Sequence, residues 1–185
     1  MKKRCEWAGK YPLMMVYHDK EWGILVHDCQ LLFEFLILEG AQAALSWMSI
    51  LKKRENYRKV FSEFNPAKLA YLTADKIEKL LTNQGIVRNR LKVDSIYIKV
   101  KAFLKIKDEF ESFDKYIWQF LDDSPIQNKW KSLKQIPAKT KKSDAISKDL
   151  KKRDFKIVGS TICYAFMQAL GMVNDHTVDY FRYSI

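Results

Sequence analysis

The apolar residues of this chain gather in blocks that read as helices, set apart by short polar or glycine- and proline-bearing stretches. A run of large apolar side chains from Leu31 to Leu38 predicts a buried helix, with Asp28 as its N-cap. Gly40 is expected to break it. A second helix is predicted over 46–61, stopping before Asn65-Pro66, and a short one over 67–72. Thr73 caps a helix over 74–81, and Asn83-Gln84-Gly85-Ile86-Val87 makes a turn. Residues 88–106 then form a long helix with Leu91, Ile96, Ile98 and Phe103 among its apolar positions. Residues 113–121 carry Tyr116, Trp118 and Phe120 and read as helical. The stretch 122–140, with Pro125, Pro137 and four lysines, is the main loop. Ser143 or Asp144 caps a helix that ends near Arg153, and an apolar helix over 162–170 closes on Gly171 as its C-cap.

Residues 1–25 show no clear periodicity, yet they hold Cys5, Trp7, Tyr11, Tyr17, His18 and Trp22. So many large aromatics predict a segment packed over the core and contributing to a site. With 48% hydrophobic residues the chain has ample material for a core, and only 6 glycines and 4 prolines favour long helices over a turn-rich β fold. No internal repeat or composition break separates domains, so residues 1–185 read as a single domain. The 33 basic against 22 acidic residues give a net charge of +11, which points to a polyanion, nucleic acid ahead of an anionic membrane. Three cysteines fit no disulfide framework, and neither a secretory segment nor an apolar run of spanning length is present; a cytoplasmic protein is expected.

Two stretches carry chemistry. In the first, the apolar run leads directly into Glu39, followed by Ala41, Ala43 and Ala44, then Leu45, Ser46 and Trp47, and then Lys52, Lys53 and Arg54. A carboxylate in an apolar wall needs a partner. That partner is either an internal group, which makes this a core helix, or a ligand that hydrogen-bonds to Glu39 and packs against Trp47. In the second, the order helix, Ile157-Val158-Gly159, helix over about 144–171 is the pattern of a helix-hairpin-helix. Gly159 would let the turn approach a phosphate, and the free N–H groups of Ser160 and Thr161 would meet its oxygens. Lys151, Lys152, Arg153 and Lys156 would add positive charge; a hairpin packed only for stability is the plainer alternative. Cys5, His18 and His176 are ligand types zinc prefers, without the spacing of a local motif.

Taken together these segments resemble the 3-methyladenine DNA glycosylase I family, nearly end to end. The resemblance is carried by Arg4-Cys5 with Trp7, Tyr17-His18-Asp19 with Glu21-Trp22-Gly23, and Leu38-Glu39-Gly40 with Gln42-Ala43 and Leu45-Ser46-Trp47. Residues 51–57, Gly85-Ile86-Val87-Arg88, residues 151–171 and Asn174-Asp175-His176 complete it. It implies an all-α, two-lobed helix-hairpin-helix glycosylase fold with the base pocket between lobes. It also implies an enzyme of base-excision repair that hydrolyses the N-glycosidic bond of 3-methyladenine in double-stranded alkylated DNA. By the resemblance Glu39 is the catalytic residue, Tyr17, Trp47, Trp7 and Trp22 bind the base, and Leu45 fills the gap left in the duplex. Gly159, Ser160, Thr161 and Lys156 contact DNA. A structural zinc is implied on Cys5, His18 and His176, but the fourth ligand position is Tyr180 rather than cysteine. Ala44 stands where a glycine is expected, and the C-terminus is unlike the family's cysteine-rich end.

Methylation at N3 makes the purine a cationic leaving group, so recognition carries most of the task. Glu39 as carboxylate would accept from the exocyclic amine and repel the oxygen of guanine, Trp47 would face the cation, and Leu45 would help extrude the base. No lysine stands out as a Schiff-base nucleophile, so a monofunctional hydrolase without strand cleavage is expected, acting as a monomer. Asp175 follows the hairpin and reads as either a water-orienting or a capping residue. The alternative is a non-catalytic helix-hairpin-helix DNA-binding module, which needs the charge and the hairpin but no pocket. A toxin-like or RNA-directed basic protein rests on charge alone.

Overall fold

The computed structural model describes residues 3–183. Its helices are α1 (Pro12–Lys20), α2 (Cys29–Gln42), α3 (Trp47–Val60), α4 (Pro66–Leu69), α5 (Ala74–Thr82), α6 (Arg90–Phe110), α7 (Phe113–Trp118), α8 (Lys141–Lys152) and α9 (Ser160–Ala169). The all-α class holds. Side-chain caps set most of the starts: Asp28 accepts from Leu31 N–H at 2.7 Å, Ser46 from Ser49 N–H at 3.2 Å, and Asn65, Thr73, Asn89 and Ser112 act alike.

α2 is the centre of the molecule. Every residue from Leu32 to Ala41 is buried, and α3, α6, α7 and α9 pack around it. Its only charged residues are Glu34 and Glu39. Arg58 holds Glu34 with three hydrogen bonds of 2.8–3.2 Å. The helix does not break at Gly40 but continues to Gln42. The glycine is there because Lys99 of α6 crosses it, its ammonium donating to the Leu36 carbonyl at 2.8 Å.

Other expectations shift. The N-terminal segment contains α1, with Pro12 in its first turn. The predicted cap at Ser143 or Asp144 is instead Thr140, which forms a reciprocal capping box with Ser143. The long helix starts at Arg90 behind an Asn89 cap rather than at Arg88. The loop 122–140 holds a two-residue strand, β1 (Ile126–Gln127), paired in parallel with β2 (Val173–Asn174), Ile126 opposite Val173. An isolated bridge between Trp130 and Thr177 extends the pairing.

This pairing lays the middle of the chain beside its C-terminal segment, and the N-terminal segment joins them. Gly23 and Val26 donate to the carbonyls of Ala169 and Leu170 at the end of α9. Gly171, at φ +69°, allows that crossing, since a Cβ there would lie 2.6 Å from the Ile24 carbonyl carbon. Tyr17 and Trp22 are thereby brought against both α2 and α9.

Candidate active site

One cavity of about 380 Å³, within the range of small-molecule sites, opens between α1, α2 and α3 on one side and α9 with residues 133–138 on the other. Trp7, Tyr17, Trp22, Glu39 and Trp47 all line it, so every base-binding residue predicted from the sequence reaches the same space. The aromatic wall is continuous: Trp7 meets Trp22 edge-on at 4.9 Å between centroids, and Tyr17 lies 5.4 Å from Trp47. Phe35 backs the Trp47 ring.

Glu39 is 4% exposed, and among the described residues no hydrogen bond or ion pair reaches its carboxyl. Burial without a counter-charge raises its pKa to about 8. The side chain expected from sequence as a carboxylate is therefore mostly the neutral acid at neutral pH in the protein by itself. Tyr17 beside it is pushed well above the ordinary phenol value, by burial first and then by Glu39. The Trp47 indole N–H is also fully buried; the Tyr17 hydroxyl is its polar neighbour, without a well-formed hydrogen bond between them. An acid without a protein partner and an indole donor without a well-formed one thus face a single aromatic cavity, an arrangement a ligand can complete.

The nearby cations belong to other partners. Arg54 forms a two-pronged pair with Glu21 of the segment after α1, at 2.5 and 2.9 Å. Lys53 donates to the Gln84 carbonyl. The turn between α2 and α3 carries Leu45 outward, 43% exposed, and does not line the cavity. Ala44 holds φ at +64° there, and Lys92 of α6 braces the turn, its ammonium donating to the carbonyls of Ala41 and Ala43 at 2.8 and 2.6 Å.

In the hairpin, Gly159 is the N-cap of α9, and a Cβ there would meet nothing within 4 Å. No packing inside the protein requires a glycine at that point; its face is open. The Ser160 hydroxyl is engaged with Ser143 at 2.9 Å, and Lys156 is exposed. Thr161 lines the cavity. Arg153 departs from expectation: its guanidinium is taken up by Glu109 and Asp149, so it adds no free charge beside the turn. Lys148, Lys151 and Lys152, together with the Lys139–Asp144 pair, line a recess beside Ser160 instead.

Comparison with known proteins now bears on this geometry. A methyladenine glycosylase family profile matches residues 7–183, almost the whole chain. The chain belongs to the methyladenine glycosylase family. It is 47% identical over 176 residues to the DNA-3-methyladenine glycosylase 1 of Escherichia coli, covering 95% of this chain and 94% of that protein. A solved 3-methyladenine DNA glycosylase I superposes with a TM-score of 0.95 at 47% identity, covering 97% and 98% of the two chains. The Staphylococcus aureus 3-methyladenine DNA glycosylase I, whose structure addresses recognition of 3-methyladenine, superposes at 0.93 with 34% identity over 96% and 95%.

Against the methyladenine glycosylase family's implied zinc, the donor set here is one short. Cys5 Sγ and one ring nitrogen each of His18 and His176 lie within 4.8 Å of one another, all buried. A structural zinc takes four protein ligands. The ring of Tyr180 stacks on His176 at 3.9 Å, and its hydroxyl is engaged with the His18 carbonyl at 3.4 Å. The Asp179 carboxylate is occupied by Lys3 and Thr177. The three candidate ligands are also bonded among themselves and to the backbone: Cys5 N–H donates to His18 Nε2 at 3.4 Å, Cys5 Sγ lies 3.7 Å from His176 Nδ1, and His176 Nε2 faces the Trp22 carbonyl at 3.3 Å. These residues do not fit a closed four-ligand site.

Sequence reasoning missed part of the wall. Gln42, Tyr164 and Gln168 line the cavity, as do residues 133, 136, 137 and 138 from the stretch read only as loop. Tyr164 and Gln168 stand one turn apart on α9, and that helical spacing was the only signal that could have found them.

Proposed function

We propose that this protein excises 3-methyladenine from alkylated double-stranded DNA by hydrolysing its N-glycosidic bond, as a monofunctional base-excision repair glycosylase. The observation that carries the reading is the unpartnered Glu39 carboxyl inside an aromatic cavity. A purine methylated at N3 is cationic and carries an exocyclic amine. On entry it draws Glu39 into its ionised form, gives that carboxylate a donor to accept from, and sets its charge against the Trp47 and Tyr17 rings, a contact worth about 2 kcal/mol when desolvated. Guanine would put an oxygen before the same carboxylate and is disfavoured. The bond breaks as its electron pair passes to the base, which leaves neutral.

Leu45, on its exposed turn, takes the place of the extruded nucleotide, and the Gly159 turn with the N–H groups of Ser160 and Thr161 approaches the backbone phosphates, Lys156 alongside. Among the described residues no lysine lines the cavity, and the buried Lys99 is spent on the Leu36 carbonyl, which supports hydrolysis without a Schiff base or strand cleavage. Among the described residues no helix is long and apolar enough to cross a membrane; we read the enzyme as a cytoplasmic monomer. The cluster of Cys5, His18, His176 and Tyr180 joins the two ends of the chain by its own hydrogen bonds and ring stacking, in place of the zinc the family resemblance implies.

The test is release of free 3-methyladenine from methylated duplex DNA. Wild type releases it and Glu39→Gln loses most of the activity. Binding of DNA with no base release by the wild type would leave only a non-catalytic DNA-binding module.

A further inference from the structure

Asp175 is fully buried just behind the cavity wall and is the most heavily bonded side chain near it. Asn128 Nδ2 and Trp130 Nε1 donate to Oδ1, both at 2.7 Å. The Tyr164 hydroxyl and Gln168 Nε2 donate to Oδ2, at 2.6 and 2.8 Å. Two donors on each oxygen use the whole accepting capacity of a carboxylate.

This arrangement fixes more than position. Because Asp175 only accepts, the Gln168 amide must turn its NH₂ toward it, and the Gln168 carbonyl oxygen is left over with no partner among the described residues. The Tyr164 hydrogen is likewise committed to Asp175, so the Tyr164 oxygen offers the cavity lone pairs and no proton. Both residues line the cavity, and both touch the same carboxylate oxygen, so the two acceptors stand side by side.

We propose that Asp175 is a positioning residue which holds Gln168 and Tyr164 as a pair of acceptors for the water that attacks the sugar. This rests on the glycosylase reading above and supplies its nucleophile. A water donating both hydrogens to Gln168 Oε1 and Tyr164 Oη directs a lone pair into the cavity. That lone pair forms the new bond to the anomeric carbon as the glycosidic electron pair leaves with the base and cancels its positive charge. The surplus proton on the added oxygen passes to bulk water at the open mouth of the cavity. The same acceptors face the cationic sugar that develops as the bond breaks and stabilise it.

Asp175→Asn inverts the pattern with little change of shape. The new amide donates toward Tyr164 and Gln168, so the glutamine turns its carbonyl inward and presents NH₂ to the cavity. Single-turnover base release from methylated duplex is expected to fall about 10- to 100-fold. Affinity for free 3-methyladenine, read by tryptophan fluorescence, should stay within about threefold, since no contact to the base is removed. Gln168→Leu, which leaves Asp175 three of its donors, should show the same split. The rescue is Asp175→Asn combined with Gln168→Glu: the Asn amide donates to one carboxylate oxygen of residue 168 and the other faces the cavity as an acceptor again, restoring at least tenfold of the lost rate. Asp175→Asn or Gln168→Leu proteins that fold and keep the wild-type rate would overturn the proposal. A folded double variant as slow as Asp175→Asn alone would do the same. A wild type that releases no base at all would instead defeat the glycosylase reading.

Discussion

Gly40 lies directly beneath Lys99: a Cβ at position 40 would come 2.6 Å from the lysine ammonium nitrogen and 3.4 Å from the Ile157 carbonyl. Among the described residues the Lys99 amine has one acceptor, Leu36 O, and burial lowers its pKa to about 7. Gly40→Ala must push it off that carbonyl. An unpaired buried donor costs roughly 1–3 kcal/mol, and the helix gains back about 1 kcal/mol on losing glycine. A net loss of about 1–2 kcal/mol is expected, seen as a lower urea midpoint at unchanged slope. In the Lys99→Met background the same substitution should cost much less, because the two residues are in contact.

Glu39 makes a pH-dependent contribution that its glutamine variant isolates. Its pKa lies at about 8 in the fold against an ordinary 4.5, so between those values the folded protein keeps a proton that the unfolded chain has lost. Its contribution is intact below pH 4.5 and is lost as pH rises through 8. Glu39→Gln therefore grows more stable relative to wild type across that window, by a few kcal/mol at pH 9, which a series of thermal melts would show. Activity moves the opposite way. In the free enzyme the acid must ionise to accept from the base, so kcat/KM rises with pH to a plateau above about 8, and the Glu39→Gln variant lacks that limb.

The turn that carries Leu45 is held in a conformation alanine resists. A non-glycine residue at φ +64°, as Ala44 is, stores about 1 kcal/mol. Ala44→Gly should raise stability by about that amount, less the added freedom of the unfolded chain. Lys92→Met frees the carbonyls of Ala41 and Ala43 and should lower kcat/KM on duplex several-fold, while the affinity for free base stays unchanged. Equal losses in both measurements would mean that Lys92 shapes the cavity and not the turn.

Metal content tests the joined ends. Chelation by EDTA is expected to leave the thermal midpoint of the wild type unchanged within about 1 °C, since the cluster is held by protein contacts. Tyr180→Cys supplies a fourth donor beside Cys5, His18 and His176, and its zinc content by mass spectrometry should rise toward one per chain, with a chelator-sensitive melting point.

What could be read from the chain depended on how local the cause was. Glu39 announces itself because a charge at the end of a buried run has few explanations. Ala44 stood out only against the family resemblance, which implies a glycine there, and the backbone does adopt positive φ at that point. α1 was not legible: Leu13 and Val16 are exposed while Tyr17 and His18 are buried, so no apolar stripe marks the helix. Gly40 was misread because its reason, Lys99, arrives from a distant helix. The ring of donors on Asp175 draws on α9 and the 122–140 loop together, and no window of sequence contains it. Nor does any local pattern disclose the pairing of β1 with β2, two residues each.

The poorly matched indole N–H of Trp47 has a consequence for chemists. Glu39 has no partner among the described residues and Trp47 no well-formed one, so a small heterocycle carrying an amine for the first and a ring nitrogen for the second would satisfy both together. A compound that answers only one leaves the other poorly matched inside the aromatic wall, which makes this enclosure a stricter filter for inhibitors than its breadth suggests.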